Sequence, residues 1–163
     1  MQQAIDKYIS EHSLGAFRPK AVLFDMDGVL YDSMPNHAVA WQKSMEQFDI
    51  HMTADDAYAT EGARGVDTIK KMVKAQQHRD IGEEEAQRMY DVKTSIFHEM
   101  PVAQIFDGVK ELMQKIKDCG LKIGVVTGSG QRPLIARLIN DFGDFITEER
   151  IVTAYDVKNG KPA

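Results

Sequence analysis

The sequence is poor in the features that mark secreted, membrane-bound and nucleic-acid-binding chains. Its 163 residues include one cysteine, Cys119, so no internal disulfide, cysteine-based zinc cluster or CxxC redox pair can form. A reducing, cytoplasmic setting is the expectation. No stretch approaches the roughly 20 consecutive apolar residues that a membrane span requires. The first residues mix Asp6, Lys7, Glu11 and Arg18 with isolated apolar positions, where a signal peptide would carry an uninterrupted apolar core. Positive charge is in deficit. Twenty Lys and Arg against 25 Asp and Glu give a net charge of −5, which leaves no general cationic field for a phosphate backbone or an anionic lipid surface. The expected partners are small molecules, with neither nucleic acid nor membrane among them. At 43% hydrophobic and 28% charged residues the composition is that of an ordinary globular chain able to bury a core.

What is present is a change of hydrophobic period along the chain. Ile5, Tyr8 and Ile9 suggest a short lead-in helix ended by Gly15 and Pro19. Ala21-Val22-Leu23-Phe24 is a continuous apolar run with the look of a strand buried on both faces of a sheet, and Asp25 closes it. Helical spacing then takes over: Ala38, Trp41, Met45 and Phe48; Val66, Ile69, Met72 and Val73; Ala86, Tyr90 and Phe97 behind the acidic start Glu83-Glu84-Glu85. Beyond about residue 104 a helix bearing Val109, Leu112, Met113 and Ile116 leads into the run Leu121 to Val126. A helix through Leu134, Ile135, Leu138 and Ile139 precedes the short apolar segment Ile151-Val152-Thr153. The alternation predicts an α/β, doubly wound parallel sheet built from 1–32 and 105–163, with an all-helical insertion over 33–104. Ligands of such sheets gather at the carboxyl ends of the strands.

Three polar clusters fall at those ends: Asp25-Met26-Asp27-Gly28, Thr127-Gly128-Ser129-Gly130 and Gly160-Lys161-Pro162. Asp25 and Asp27 are two apart and in an extended segment point to one side, and Gly28 lets the chain turn sharply after them. One carboxylate can act as a nucleophile while its neighbour protonates a leaving group and then activates water. Two carboxylates and an anionic phosphate repel one another unless a cation bridges them, and hard oxygen ligands suit magnesium. Lys161 adds positive charge, Thr127 a hydroxyl, and Gly128 to Gly130 expose backbone N–H groups before a helix N-terminus.

Phe24 to Ser33 resembles the first signature of the haloacid dehalogenase-like superfamily, Val126-Thr127-Gly128-Ser129 its second and Gly160-Lys161-Pro162 its third, in that order. The chain is most similar to the β-phosphoglucomutase-like phosphatases, whose helical cap is inserted after the first signature. The resemblance implies that Asp25 is the phosphorylated nucleophile and a Mg2+ ligand. It also implies that Asp27 is the acid/base and lends its backbone carbonyl to the metal, that Thr127 holds the phosphoryl group and that Lys161 steadies its charge. The superfamily's dehalogenases, which attack carbon, lack an aspartate at the place of Asp27, so the residue favours phosphoryl transfer.

Further candidates for substrate contact are Gly128 and Ser129 in the second cluster, His37 after the first, Glu61 and Arg64 in a glycine-bracketed loop, and Lys93. His37 is read either as reaching the catalytic acid or as an ordinary helix residue. Lys93 lies on or beside an apolar helix face and either extends to water or points into the cleft. Glu61 can also help to hold a metal from the cap side, and Ser33 is expected to cap the first cap helix.

The superfamily core continues with two more strands and a fourth acidic motif, whereas the sequence ends at Ala163. A fragment of a longer protein, monomeric when complete, is therefore expected, with the first strand left as an exposed apolar edge. The function expected is a Mg2+-dependent phosphohydrolase acting on a small phosphorylated metabolite or on pyrophosphate. The alternatives are a β-phosphoglucomutase-type sugar phosphomutase and a non-catalytic binding protein. The cap arginine of β-phosphoglucomutase falls one position after Arg64, where this sequence has Gly65, which weakens the sugar-phosphate assignment.

Overall fold

A computed structural model describes residues 2–15, 18–129, 131–157 and 160–161; Gly130 and Pro162 of the polar clusters lie outside the described residues. Helix α1 (Gln2–Glu11) leads into strand β1 (Ala21–Phe24), followed by helices α2 (Met34–Glu46), α3 (Ala54–Ala59), α4 (Gly65–Gln77) and α5 (Glu83–His98). The chain then returns through α6 (Val109–Asp118), β2 (Lys122–Val126), α7 (Arg132–Phe142) and β3 (Ile151–Val152). The strands form a parallel sheet in the order β1-β2-β3, with Phe24 level with Val125 and Val126 level with Val152. This register aligns the three carboxyl ends, so the residues after each strand meet at one rim of the sheet.

Two hydrophobic clusters hold the molecule together. One surrounds the sheet and is made of Met26, Leu30, Met113, Ile123, Leu138 and Phe142 among others. The second lies within α2 to α5 and includes Trp41, Met45, Ile50, Ile69, Val73 and Met89. Fully burying a side chain of this size contributes about 1.5–3 kcal/mol, so each cluster can sustain its own packing. β2, at the centre of the sheet, is buried along Ile123 to Val125 as its apolar run predicts.

β1 stands at the edge of the sheet, the exposed apolar edge that was expected, but its burial departs from expectation: it alternates, leaving Leu23 68% exposed in place of burial on both faces. Helix α3 has no long apolar stripe for periodicity to find. It is set by a local signal, a capping box in which the Thr53 hydroxyl accepts from the Asp56 N–H while the Asp56 carboxylate accepts from the Thr53 N–H. Tyr8 of α1 is likewise exposed and stacks on His12.

Candidate active site

After β1 the chain makes a tight reversal in which the Leu30 and Tyr31 N–H groups both donate to the Met26 carbonyl. Gly28 permits it with φ of 72°, a left-handed conformation that side chains with a Cβ disfavour. Met26 and Leu30 are sunk into the core, and this anchors the two aspartates flanking Met26 at the sheet rim.

The aspartates sit in unlike environments. Asp25 is partly exposed, and its Oδ2 pairs with Lys161 Nζ at 2.9 Å. The same ammonium donates to the Val126 carbonyl at 3.2 Å, which ties the third cluster to the end of β2. Asp27 is buried. Its Oδ1 accepts a 2.6 Å hydrogen bond from Ser33 Oγ and lies 3.2 Å from His37 Nε2. Ser33 therefore does not cap α2 with its side chain, as expected from sequence, but serves Asp27. Burial by itself pushes the Asp27 carboxyl up, and His37, Ser33 and Lys93 together outweigh it and hold its pKa below the usual value.

Lys93 settles the choice left open by its helix position. It is 1% exposed, with Nζ 2.7 Å from His37 Nδ1 and 4.9 to 5.8 Å from the ring centres of Phe97, Trp41 and Tyr90. Its ammonium donates to Nδ1, which leaves the ring proton on Nε2, facing Asp27. Nε2 lies 3.2 Å from Asp27 Oδ1 and has no hydrogen-bond partner among the described residues. Desolvation lowers the Lys93 pKa to about 8 against the opposing pull of Asp27 and Glu61.

The second cluster forms the opposite wall. Thr127 is buried; its N–H donates to the Val152 carbonyl, and its hydroxyl accepts from the Ser129 N–H at 3.0 Å. The Ser129 hydroxyl is buried and has no hydrogen-bond partner among the described residues. α7 starts three residues later, so the loop lies at a helix N-terminus, where anions are favoured. From above, the loop of residues 60–65 closes onto this rim. A Cβ on Gly128 would stand 3.0 Å from the Gly62 carbonyl oxygen, one on Gly62 would stand 3.4 Å from Lys161 Cε, and one on Gly160 would stand 2.7 Å from Arg64 Cγ. The enclosed cleft is lined by Asp27, His37, Glu61, Lys93, Gly128 and Ser129, with Trp41 and Tyr90 added by the structure and not foreseen from sequence. Crowding by protein and the charges of Asp27 and Asp25 push the Glu61 carboxyl up, with His37 opposing, although the residue keeps an exposed side.

Arg64 is not brought into the cleft. Its stem packs by Gly160, and its guanidinium pairs with Glu83 at 3.2 Å. Glu83 also pairs with Lys70, so the acidic start of α5 is less free than its sequence suggests.

Among the described residues no group of three or more His, Cys, Asp or Glu side chains is placed to hold a metal ion. This does not conflict with magnesium, which uses one or two carboxylates and completes its shell with waters and substrate phosphate oxygens. The hard oxygens of Asp25 and the Asp27 main chain fit that thin donor set.

A parallel sheet that gathers two carboxylates, a hydroxyl–glycine loop and a lysine at its strand ends, under an inserted roof of helices, defines a capped doubly wound α/β protein. The chain belongs to the haloacid dehalogenase-like hydrolase family, whose model matches residues 22–163. It is 28% identical over 144 residues to a phosphorylated carbohydrates phosphatase of Thermotoga maritima, covering 88% of this chain and 65% of that one. It is 25% identical to the beta-phosphoglucomutase of Bacillus subtilis, covering 88% of this chain and 64% of that one. A solved structure from Bacteroides vulgatus, provisionally described as a beta-phosphoglucomutase, superposes with a TM-score of 0.91 at 42% identity, over 98% of this chain and 65% of that one. The chain thus spans slightly less than two thirds of the length of these relatives. No helix among the described residues is long and apolar enough to cross a membrane.

Proposed function

We propose that the protein is a Mg2+-dependent phosphohydrolase that acts on a small phosphorylated metabolite or on pyrophosphate through a phosphorylated Asp25. The observation that carries this reading is the contrast between the two aspartates: Asp25 is held open to the rim by Lys161, and Asp27 is buried on Ser33 and His37. Paired carboxylates in different surroundings can take different roles. An Asp25 oxygen forms a bond to phosphorus as the bond from phosphorus to the leaving group breaks, and Asp27, in its protonated form, delivers its proton to that group. In the second half Asp27 removes a proton from water, whose oxygen bonds to phosphorus and releases Asp25 and phosphate.

Lys161, the Thr127 hydroxyl and the Gly128 and Ser129 segment surround the phosphoryl oxygens. Mg2+ held by Asp25 and the Asp27 carbonyl supplies the positive charge that lets a carboxylate approach an anion. His37 and Lys93 orient and charge-balance Asp27. Glu61 faces the substrate, either directly or through a cation.

The reading includes a core over 1–32 and 105–163 and a cap over 33–104, supported by the two separate hydrophobic clusters. It also includes a cytoplasmic location, consistent with the single exposed thiol of Cys119. The cleft as closed holds about 40 Å³, room for about three waters at the roughly 10–15 Å³ of such space that one needs. The cap must open to admit substrate, and compact phosphates are favoured. The phosphomutase reading has for it the similarity to the Bacillus subtilis enzyme and to the Bacteroides vulgatus structure. Against it, Arg64 is engaged by Glu83 and does not face the cleft.

The test is phosphate release from a panel of phosphate esters and pyrophosphate, with Mg2+ and with chelator, by wild type and Asp25→Asn. Release that depends on Mg2+ and is lost in Asp25→Asn is expected. Undiminished turnover by the variant would reject the assignment. Isomerisation of β-glucose 1-phosphate without free phosphate would replace it with the mutase.

A further inference from the structure

Two linkers join the cap to the core, one after Leu30 and one before Phe106, and they run together as a short antiparallel ribbon. Tyr31 bridges Ile105, the Asp32 N–H donates to the Gln104 carbonyl at 2.8 Å, and the Phe106 N–H donates to the Leu30 carbonyl at 3.1 Å. At its cap end Asn36 Nδ2 donates to the Pro101 carbonyl at 2.8 Å. One side chain of α7 grips both linkers. The Arg137 guanidinium lies 4.3 Å from the Tyr31 ring centre and donates to the Ala103 carbonyl. Its Nε donates at 3.2 Å to Asp141 Oδ2, and that same oxygen accepts the Tyr31 hydroxyl at 2.9 Å. A planar guanidinium can stack on a ring and donate in its own plane at once, and an ammonium cannot.

We propose that Arg137, held by Asp141 and stacked on Tyr31, is a positioning residue that fixes the angle of the cap hinge. The helix that carries it begins three residues after Ser129, so one rigid element has the anion-binding loop at one end and clamps the hinge about one and a half turns on. Cap closure is thereby referred to the loop over which the cap must close. Between the linkers and α7 lies a cavity of about 210 Å³, walled in part by Met26, Met100, Pro133 and Leu134. It gives the ribbon space to swing without unpacking the helix. The inference goes beyond the phosphohydrolase reading and does not depend on it, because cap position can be measured without substrate.

The experiment places one spin label on native Cys119 in the core and one on Lys71→Cys, an exposed cap position, and records the distance distribution in the full chain. Against wild type, Arg137→Met is expected to raise the ratio of open to closed cap about tenfold, equivalent to about 1.4 kcal/mol. Arg137→Lys should fail to restore the closed distribution, and Tyr31→Phe, which deletes only the hydroxyl, should shift it in the same direction. Arg88→Ala, which removes an exposed cap ion pair with Glu84, should leave it unchanged. A residue that merely stabilises the fold would lower the melting temperature without moving the distances. If Arg137→Met fails to fold, Tyr31→Phe decides. A distribution in either folded variant matching that of Arg88→Ala overturns the proposal.

Discussion

Lys93 offers the sharpest quantitative test of the site. Its ammonium is almost wholly withdrawn from water, and its pKa falls from 10.5 to about 8 on folding. Because the folded value lies below the unfolded one, the unfolded chain binds more protons between those limits, and this residue makes stability rise with pH across that window. Below about pH 8 the full cost of burying the charge is present, about 3 kcal/mol from the 2.5-unit difference; above about 10.5 it is gone. Replacement by Met keeps most of the volume packed against Trp41, Tyr90 and Phe97 and removes the charge. The stability difference between wild type and Lys93→Met should therefore shift in favour of wild type by about 2 kcal/mol between pH 8 and pH 10. Urea unfolding of both proteins at half-unit steps measures it, and the subtraction cancels the titration of groups that both share. A difference that stays level across those steps would refute the account of Lys93 as a buried, strained cation.

The other predictions concern single contacts. Ser33→Ala removes a hydrogen bond that lowers the Asp27 pKa, so the acidic limb of the pH–rate profile should move to higher pH; Ser33→Thr should restore it, and an unmoved limb would argue against the contact. Gly65→Ala would place a Cβ 2.0 Å from the Tyr90 ring. It should destabilise the cap by about 1–3 kcal/mol, read as a lower melting temperature; an unchanged melt would contradict the packing of α4 on α5. In Gly128→Ala the added methyl meets the Gly62 carbonyl at 3.0 Å, which should prop the cap open and raise KM several-fold while thermal stability changes little; a KM equal to wild type would show that closure does not need this approach.

What the sequence by itself determined is the part that rests on local order. The apolar run Leu121 to Val126 was legible as a buried strand, and the apolar segments alternate with amphipathic ones in a sequence that allows few topologies. In a parallel sheet the residues after each strand must meet at one rim, which brings Asp25 together with Thr127 and Lys161, each more than a hundred residues further along the chain. His37 as a neighbour of the acid was one of two readings, implied by the family resemblance, and the fold places its Nε2 3.2 Å from Asp27. Tertiary structure decided the rest. Helical spacing left Lys93 between water and cleft, and the packing of α2 against α5 buried it on His37. Ser33 stood where a cap residue belongs, and the reversal after Gly28 turned its hydroxyl to Asp27 instead. Arg64 shared a loop with the cleft, yet Glu83, 19 residues on, took its charge. The Tyr31–Asp141 bond spans 110 residues, and no local pattern announces it. Periodicity records which face of an element avoids water; which polar group meets which is fixed only when whole elements dock, because each such bond has to repay its own desolvation with a partner that the chain brings from far away.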